Sequence, residues 1–148
     1  MKKWLRIWIL FGVVALAGAA VMVYWFPGES ATTCEIPLRK DLTDDQAWDA
    51  LAGIVARHFT VERSEKVSAD GTGVLYTGWV TRMHEHDLGG KRIRVMVVLD
   101  RTARKVNLMC EAERLHGEAW KPAPDEGMLR QLTSEIRLAV GDKPTVPT

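Results

Sequence analysis

The chain opens with an unbroken apolar stretch. Residues 7–26 carry no charge and are mostly Ile, Leu, Val, Ala, Phe and Trp. A helix of that length spans about 30 Å, which matches the hydrocarbon core of a bilayer. Lys2, Lys3 and Arg6 precede it and favour the cytoplasmic side. The pattern predicts a single-pass signal-anchor helix with its N-terminus inside and an exported C-terminal domain, periplasmic if the protein is bacterial. A cleaved signal peptide is the alternative.

Two later segments have the period of amphipathic helices. Thr43 and Gln46 have the spacing of a capping box, and apolar residues then recur every three or four positions. A helix is therefore expected over residues 44–58. Asp125 follows a Pro-rich turn as a helix N-cap, and the same period continues to Gly141, which is expected to end a second helix.

Between these helices the period changes to two. Segments rich in β-branched and aromatic residues predict four strands, at residues 59–65, 73–83, 92–100 and 105–115. Short turns separate them, so they are expected to form an antiparallel meander. Residues 34–38 also alternate and are compatible with a fifth strand at an edge, where Pro37 is acceptable. Whether that strand pairs with the fourth is left open by the sequence. Two helices over one face of this sheet would give a two-layer α+β domain.

Length and charge restrict the organisation further. A chain of 148 residues suits one small domain with an appendage. The expected parts are a cytoplasmic stub (residues 1–6), a transmembrane anchor (7–26), a linker (27–33), an exported domain (34–141) and a disordered tail (142–148). The 20 Lys and Arg residues nearly balance the 19 Asp and Glu residues. Because binding to phosphates needs a cationic excess, no nucleic-acid partner is expected.

Three stretches of the predicted domain resemble a known family. They are Asp45-Gln-Ala-Trp48, His58-Phe-Thr-Val-Glu-Arg63 and Gly73-Val-Leu-Tyr-Thr-Gly-Trp79. Together they resemble the helix-grip domains of bacterial envelope lipoproteins, such as the C subunit of the outer-membrane β-barrel assembly machinery. The resemblance covers residues 35–82. It implies a helix-grip-like fold that serves as a binding module without catalytic residues.

The two cysteines suggest a disulfide. Cys110 falls on the apolar face of the fourth strand, and Cys34 shares a face with Ile36 and Leu38 in the fifth. If those strands are neighbours, the two sulfurs can meet. A Cys34–Cys110 disulfide is therefore expected in an oxidising compartment. The alternatives are free thiols and a bridge between two chains through Cys34.

Few residues suggest metal binding or catalysis. His84 and His86 alternate in a loop and are weak candidates for a zinc or copper site, because two imidazoles would need further ligands from elsewhere. A solvated loop is the alternative. His58 is expected to have a structural role at the end of the first helix. The sequence contains no nucleophile elbow or phosphate-binding loop, so neither a catalytic residue nor a cofactor is predicted.

Three apolar residues point away from the predicted core. Met96, Val98 and Met109 alternate opposite to the core positions, which predicts a contact surface on the far side of the sheet. The alternative is that three scattered apolar residues are ordinary on a small sheet, or that its two faces are reversed. The sequence favours a membrane-anchored, non-catalytic protein that binds another envelope protein or is an accessory subunit of an envelope assembly or secretion complex. Association between copies of the chain is also open. The alternatives are a domain that binds a small apolar ligand or lipid, and a metal-binding protein using His84 and His86.

Overall fold

The computed structural model of the protein describes residues 31–82 and 90–142. In this part of the chain the elements follow in the order β1 (Ala31–Pro37), α1 (Asp44–His58), β2 (Val61–Glu65), β3 (Thr72–Thr77), β4 (Val80–Arg82), β5 (Lys91–Asp100), β6 (Lys105–His116), β7 (Ala119–Pro122) and α2 (Glu126–Val140). The first strand begins within the predicted linker, because its pairing with β6 extends back to Ala31.

Both helices begin where the sequence predicts, because adjacent side chains satisfy their first N–H groups. Oγ1 of Thr43 accepts a hydrogen bond from the Gln46 N–H at 3.2 Å, and Oε1 of Gln46 accepts one from the Thr43 N–H at 3.0 Å. This capping box opens α1. Oδ1 of Asp125 accepts a hydrogen bond from the Met128 N–H at 2.9 Å and opens α2. The predicted bounds of both helices are confirmed.

The strands form one antiparallel sheet that is larger than predicted. Its order is β1-β6-β5-β3-β2, with β4 added to β5 and β7 added to β6. The predicted four-stranded meander is therefore corrected to a seven-stranded sheet, in which the four predicted strands are neighbours in the expected order. The fifth strand, left open by the sequence, is present as β1, and it pairs with β6. The predicted strand at residues 73–83 is divided into β3 and the 3-residue strand β4. The strand β7 was not predicted, because its 4 residues are too few to produce a recognisable alternation.

Both helices pack on the same side of the sheet. The residues of β5 and β6 that face them are at most 1% exposed, and are Ile93, Val95, Val97, Leu99, Val106, Leu108, Cys110 and Ala112. Trp48 of α1 lies against β3 at Gly73, where a Cβ atom would come within 2.5 Å of the indole ring. The close approach of helix and sheet therefore requires glycine at this position. Burial of these apolar side chains is the main source of stability, at about 1.5–3 kcal/mol for each large one.

The predicted disulfide is absent, and the sheet register explains why. Cys34 and Cys110 are both free. They lie on neighbouring strands and on the same face, but Cys34 is opposite Leu108, and Cys110 is opposite Thr32. The two cysteines are thus diagonal neighbours, about 7–8 Å apart. A disulfide needs Cα atoms about 4.4–6.8 Å apart, so an offset of two residues prevents the bond.

The prediction of a single-pass membrane protein is also corrected. Across residues 31–82 and 90–142, no helix is both long enough and apolar enough to cross a membrane. Each of the two helices has 15 residues and therefore a length of about 22 Å. The predicted anchor at residues 7–26 and most of the predicted tail lie outside the described residues. The structure thus gives no support to the signal-anchor topology or to a periplasm-facing domain.

Candidate functional site

The sheet has a second side, which neither helix covers. On β5 the residues that alternate with the core set point to this side, and their partners on β6 do the same. We call this side the outer face and define it by Tyr76, Trp79, Arg92, Arg94, Met96, Val98, Met109, Glu111, Glu113 and Trp120. It contains the predicted contact residues together with a polar and aromatic cluster that the sequence pattern did not indicate.

Two arginine–glutamate pairs form the centre of the cluster. Arg92 is directly opposite Glu113, and Arg94 is directly opposite Glu111. The Nε atom of each arginine lies 2.6 Å from Oε2 of its partner. Glu111 is only 3% exposed. A buried carboxylate is costly without a compensating charge, so Arg94 is needed for Glu111 to occupy this position.

Three aromatic rings enclose the two guanidinium groups. The Arg92 guanidinium lies 4.4 Å from the ring centroids of both Trp79 and Trp120. The Arg94 guanidinium lies 4.5 Å from the Trp79 centroid and donates a hydrogen bond to the Tyr76 hydroxyl at 2.8 Å. Each stacked cation contributes about 0.5–2 kcal/mol, depending on how far it is removed from water. The rings and ion pairs together hold both arginines in one orientation.

A break in the sheet brings two of these rings to the same side. β3 ends at Thr77 and β4 begins at Val80, so Trp79 lies between the two strands. Uninterrupted alternation would place Tyr76 and Trp79 on opposite faces. Because the chain leaves the ladder between them, both rings contact Arg94. Gly78 was the local sign of this break, since glycine within a strand pattern often marks an irregularity.

The predicted contact residues extend the outer face away from the arginines. Met96 is paired with Tyr76 on one side and with Met109 on the other, and Val98 lies two residues further along β5. Met96 is 9% exposed, whereas Val98 and Met109 are half-buried. The structure therefore brings the three predicted residues together, next to the cluster of rings and arginines.

The other residues singled out in the sequence do not assemble into a site. His84 and His86 lie outside the described residues. No group of three or more potential metal ligands occurs in the part of the chain that the structure describes. His58 has the structural role expected of it, because its Nε2 lies 2.9 Å from Oε1 of Glu135 and so links α1 to α2. Hydrogen bonds from His58 and Arg57 lower the pKa of Glu135 to about 2.

Comparison with known proteins finds similarity among solved structures, at the level of the fold. No family model and no curated protein matches the sequence. Among solved structures, the chain is similar to the crystal structure of a TBP-like protein from Parabacteroides distasonis. The TM-score is 0.46 and the identity is 6%, over 74% of this chain and 90% of the other. The likeness is one of fold at most, so the functional argument depends on this chain's own residues.

Proposed function

We propose that the domain is a non-catalytic module that binds another protein through its outer face. The observation that carries the proposal is the Arg92 guanidinium held between two tryptophan rings and bonded to Glu113. Tryptophan, tyrosine, arginine and methionine are the residue types enriched at protein interfaces and at their energetic hot spots. Here all four types share one side of a sheet that neither helix covers.

The cluster is also organised before any partner arrives. Arg92 and Arg94 are long side chains that would lose rotamer freedom if a partner had to order them. Their ion pairs and stacking interactions already restrict that freedom, which reduces the entropic cost of association. A rigid surface of this kind favours a partner that offers a complementary apolar patch.

The charge pattern restricts the partner further. The two arginines are each neutralised by a glutamate on the neighbouring strand. Long-range attraction to an oppositely charged partner is therefore weak, and burial of the rings and of the half-buried Val98 and Met109 would provide most of the affinity.

A photo-crosslinking experiment can identify the partner. Val98 is replaced by p-benzoylphenylalanine in the full chain, produced in its own cells, and cross-linked proteins are identified by mass spectrometry. Ala56, which is exposed on α1 on the other side of the sheet, receives the same replacement as the control. The proposal expects one or two proteins cross-linked from position 98 and not from position 56.

The affinity of the purified partner then tests the surface itself. Trp120→Ala should weaken binding by about tenfold or more, as loss of a hot-spot tryptophan does. Val98→Asp should weaken it by at least as much, about tenfold or more, because it would place an unpaired carboxylate in the interface. Ala56→Asp should leave the affinity unchanged. Trp120 lies on the short strand β7, so its replacement leaves the core intact, and circular dichroism verifies folding of each variant. Equal affinity of all three variants would refute the outer face as the binding surface.

A further inference from the structure

The edge strand β1 uses only half of its hydrogen-bonding groups. Within the described residues it pairs with β6 alone. The Leu38 N–H donates to the Arg104 carbonyl on the β6 side, so the even-numbered residues of β1 direct their backbone groups toward β6. Alternate residues of a strand direct these groups to opposite edges. The N–H and C=O groups of Ala31, Thr33 and Glu35 therefore point outward.

The same edge carries the beginning of a second ladder. The Asp142 N–H donates to the Pro37 carbonyl, and the Arg39 N–H donates to the Val140 carbonyl, both at 2.9 Å. These bonds form an antiparallel bridge between the end of β1 and the chain that follows α2. In the described part of the chain the bridge is not continued toward Ala31. The geometry for adding a strand is thus established at one end of β1, and no residue among 31–82 and 90–142 pairs with the rest of this edge.

A groove runs beside the open edge, between β1 and α2. It has a volume of about 640 Å³. Thr33 and Cys34 line it on the strand side, and Leu129 and Leu138 line it on the helix side. Leu138 is 80% exposed, so a ligand in the groove can bury its side chain. The groove therefore offers apolar surface directly next to unpaired backbone groups.

The groove is also positively charged. Arg39, Arg130 and Arg137 line it, and Asp142 is the one acidic residue among its described lining residues. The lining residues carry three positive charges and one negative charge, but Arg39 is paired with Asp41 at 3.4 Å, so these five residues together have a net charge of +1, which comes from Arg130 and Arg137. Arg130 and Arg137 are exposed and form no ion pair with a carboxylate in the described part of the chain.

From these observations we infer that the groove binds an extended, acidic segment of a partner protein, which adds to β1 as a further strand. Its backbone would pair with Thr33 and Glu35, its acidic side chains would contact Arg130 and Arg137, and its apolar side chains would lie on Leu138. Strand addition of this kind takes affinity from backbone hydrogen bonds and specificity from alternate side chains. This inference does not depend on the outer face.

Two other occupants fit less well. A lipid chain could cover the leucines, but it offers no N–H or C=O groups to the edge of β1. The chain's own residues 143–148 lie outside the described part. Their sequence adds Lys143 to a positive groove, and Pro144 and Pro147 lack the N–H donors that a paired strand supplies. An acidic strand from another protein satisfies both the backbone and the charge requirements.

The first test uses the full chain and a labelled peptide. The probe is a fluorescein-labelled nine-residue peptide with glutamate and valine in turn at the odd positions and serine at the even positions, because residues two apart lie on the same face of a strand and can all reach α2. The control peptide has lysine in place of glutamate. Fluorescence anisotropy should show binding of the glutamate peptide and none of the lysine peptide. The double variant Arg130→Gln/Arg137→Gln should weaken binding by about tenfold or more, because two ion pairs are lost. The control variant Arg63→Gln/Lys121→Gln removes the same charge elsewhere and should bind normally.

The second test examines the backbone. Only every second residue of the bound peptide directs its N–H group toward β1. Peptides N-methylated at those residues should lose binding, and peptides N-methylated at the other residues should retain it. Hydrogen exchange at the Thr33 and Glu35 amides should slow when the peptide binds. Any one of three results would overturn the inference. The glutamate and lysine peptides could bind equally, both methylation patterns could have the same effect, or hydrogen exchange at the Thr33 and Glu35 amides could stay unchanged. Affinity that rises about tenfold when residues 143–148 are removed would also overturn it, because the chain's own tail would then be the occupant.

Discussion

At the scale of single residues, burial decides which of the two cysteine thiols can react. Cys110 is 1% exposed in the core, and burial raises the pKa of its thiol to about 12. The thiolate is the reactive form of cysteine, so this residue is protected twice, by inaccessibility and by protonation. Cys34 belongs to the edge strand and lines the groove beside α2, where reagents can approach it.

The free and unequal cysteines lead to the first prediction. The folded protein should react at one thiol with a disulfide reagent such as dithionitrobenzoate, and the denatured protein at two. Cys34→Ser should abolish the reaction of the folded protein and leave one reactive thiol after denaturation. Non-reducing and reducing gels should show the same mobility. Two unreactive cysteines in the denatured, unreduced protein would contradict this prediction, because they would indicate a disulfide.

At the scale of the elements, a side chain repairs the break between β3 and β4. The last pair of the first ladder is Tyr76 with Met96, and the next ladder starts with Val80 opposite Ile93. The Val95 N–H lies between them and has no backbone partner on that side. Oγ1 of Thr77 accepts its hydrogen bond at 2.8 Å, and Thr77 is fully buried. The hydroxyl thus takes the place of a missing carbonyl.

The second prediction concerns this hydroxyl. Thr77→Val keeps the shape of the side chain but leaves the buried Val95 N–H without an acceptor, which should cost about 1–3 kcal/mol of the free energy of unfolding. Thr77→Ser keeps the hydroxyl and removes one methyl group, at a cost of about 0.8 kcal/mol. Denaturant unfolding measures both values. Hydrogen exchange at the Val95 amide distinguishes loss of the hydrogen bond from loss of the methyl group, because only the Thr77→Val variant should lose protection there. Equal protection in both variants would be evidence against the proposed hydrogen bond.

The elements also show which parts of the fold the sequence can predict. The capping residues Thr43 and Asp125 act within one turn of the helix they open, so the sequence alone located both helices. The four main strands were long enough for alternation to appear. The short strand β7 and the break at Gly78 escaped prediction because each changes the pattern over only a few residues. The aromatic cluster was missed for the same reason, since it depends on that break.

At the scale of the whole molecule, one carboxylate connects the two helices. Glu135 of α2 accepts hydrogen bonds from Arg57 and interacts with His58, both in the last turn of α1. Hydrogen bonds from His58 and Arg57 lower the pKa of Glu135 from the ordinary value of 4.5 to about 2. This group spans a sequence separation of 77 residues, so its effect belongs to the tertiary structure and not to either helix.

The third prediction follows from the direction of this pKa change. Because the pKa is lower in the folded protein, ionised Glu135 stabilises the fold fully above pH 4.5, and the contribution is lost as the pH falls toward 2. Glu135→Gln should reduce stability by about 0.5–1 kcal/mol at pH 6, a value expected for an accessible ion pair. The difference from the unmodified protein should shrink toward zero as the pH approaches 2.

Thermal unfolding across this pH range provides the measurement. Glu118→Gln is the matched control, because Glu118 is exposed in the turn between β6 and β7 and should give no difference at any pH. A destabilisation by Glu135→Gln that stays constant down to pH 2 would show that the lost interaction does not involve the charge of the carboxylate.

The outer face and the groove also differ in whether their arginines are paired with carboxylates. The arginines of the outer face are paired with glutamates, so binding there should change little with ionic strength. Arg130 and Arg137 in the groove are unpaired with carboxylates in the described part of the chain, so binding there should weaken in salt. Screening reduces the range of such charges from about 30 Å at 10 mM salt to about 3 Å at 1 M salt. Salt dependence therefore distinguishes which surface a given partner uses.

Local interactions by themselves were enough to determine some features of this protein. Helix caps, helical and strand periods, and the two faces of β5 and β6 all depend on residues close together in the chain. Long-range pairing decided the rest. The register of β1 on β6 separates Cys34 from Cys110, and the meeting of β3, β5, β6 and β7 assembles the arginines and rings of the outer face. Many registers are compatible with the same alternation, and only the packing of the complete sheet against both helices selects one of them.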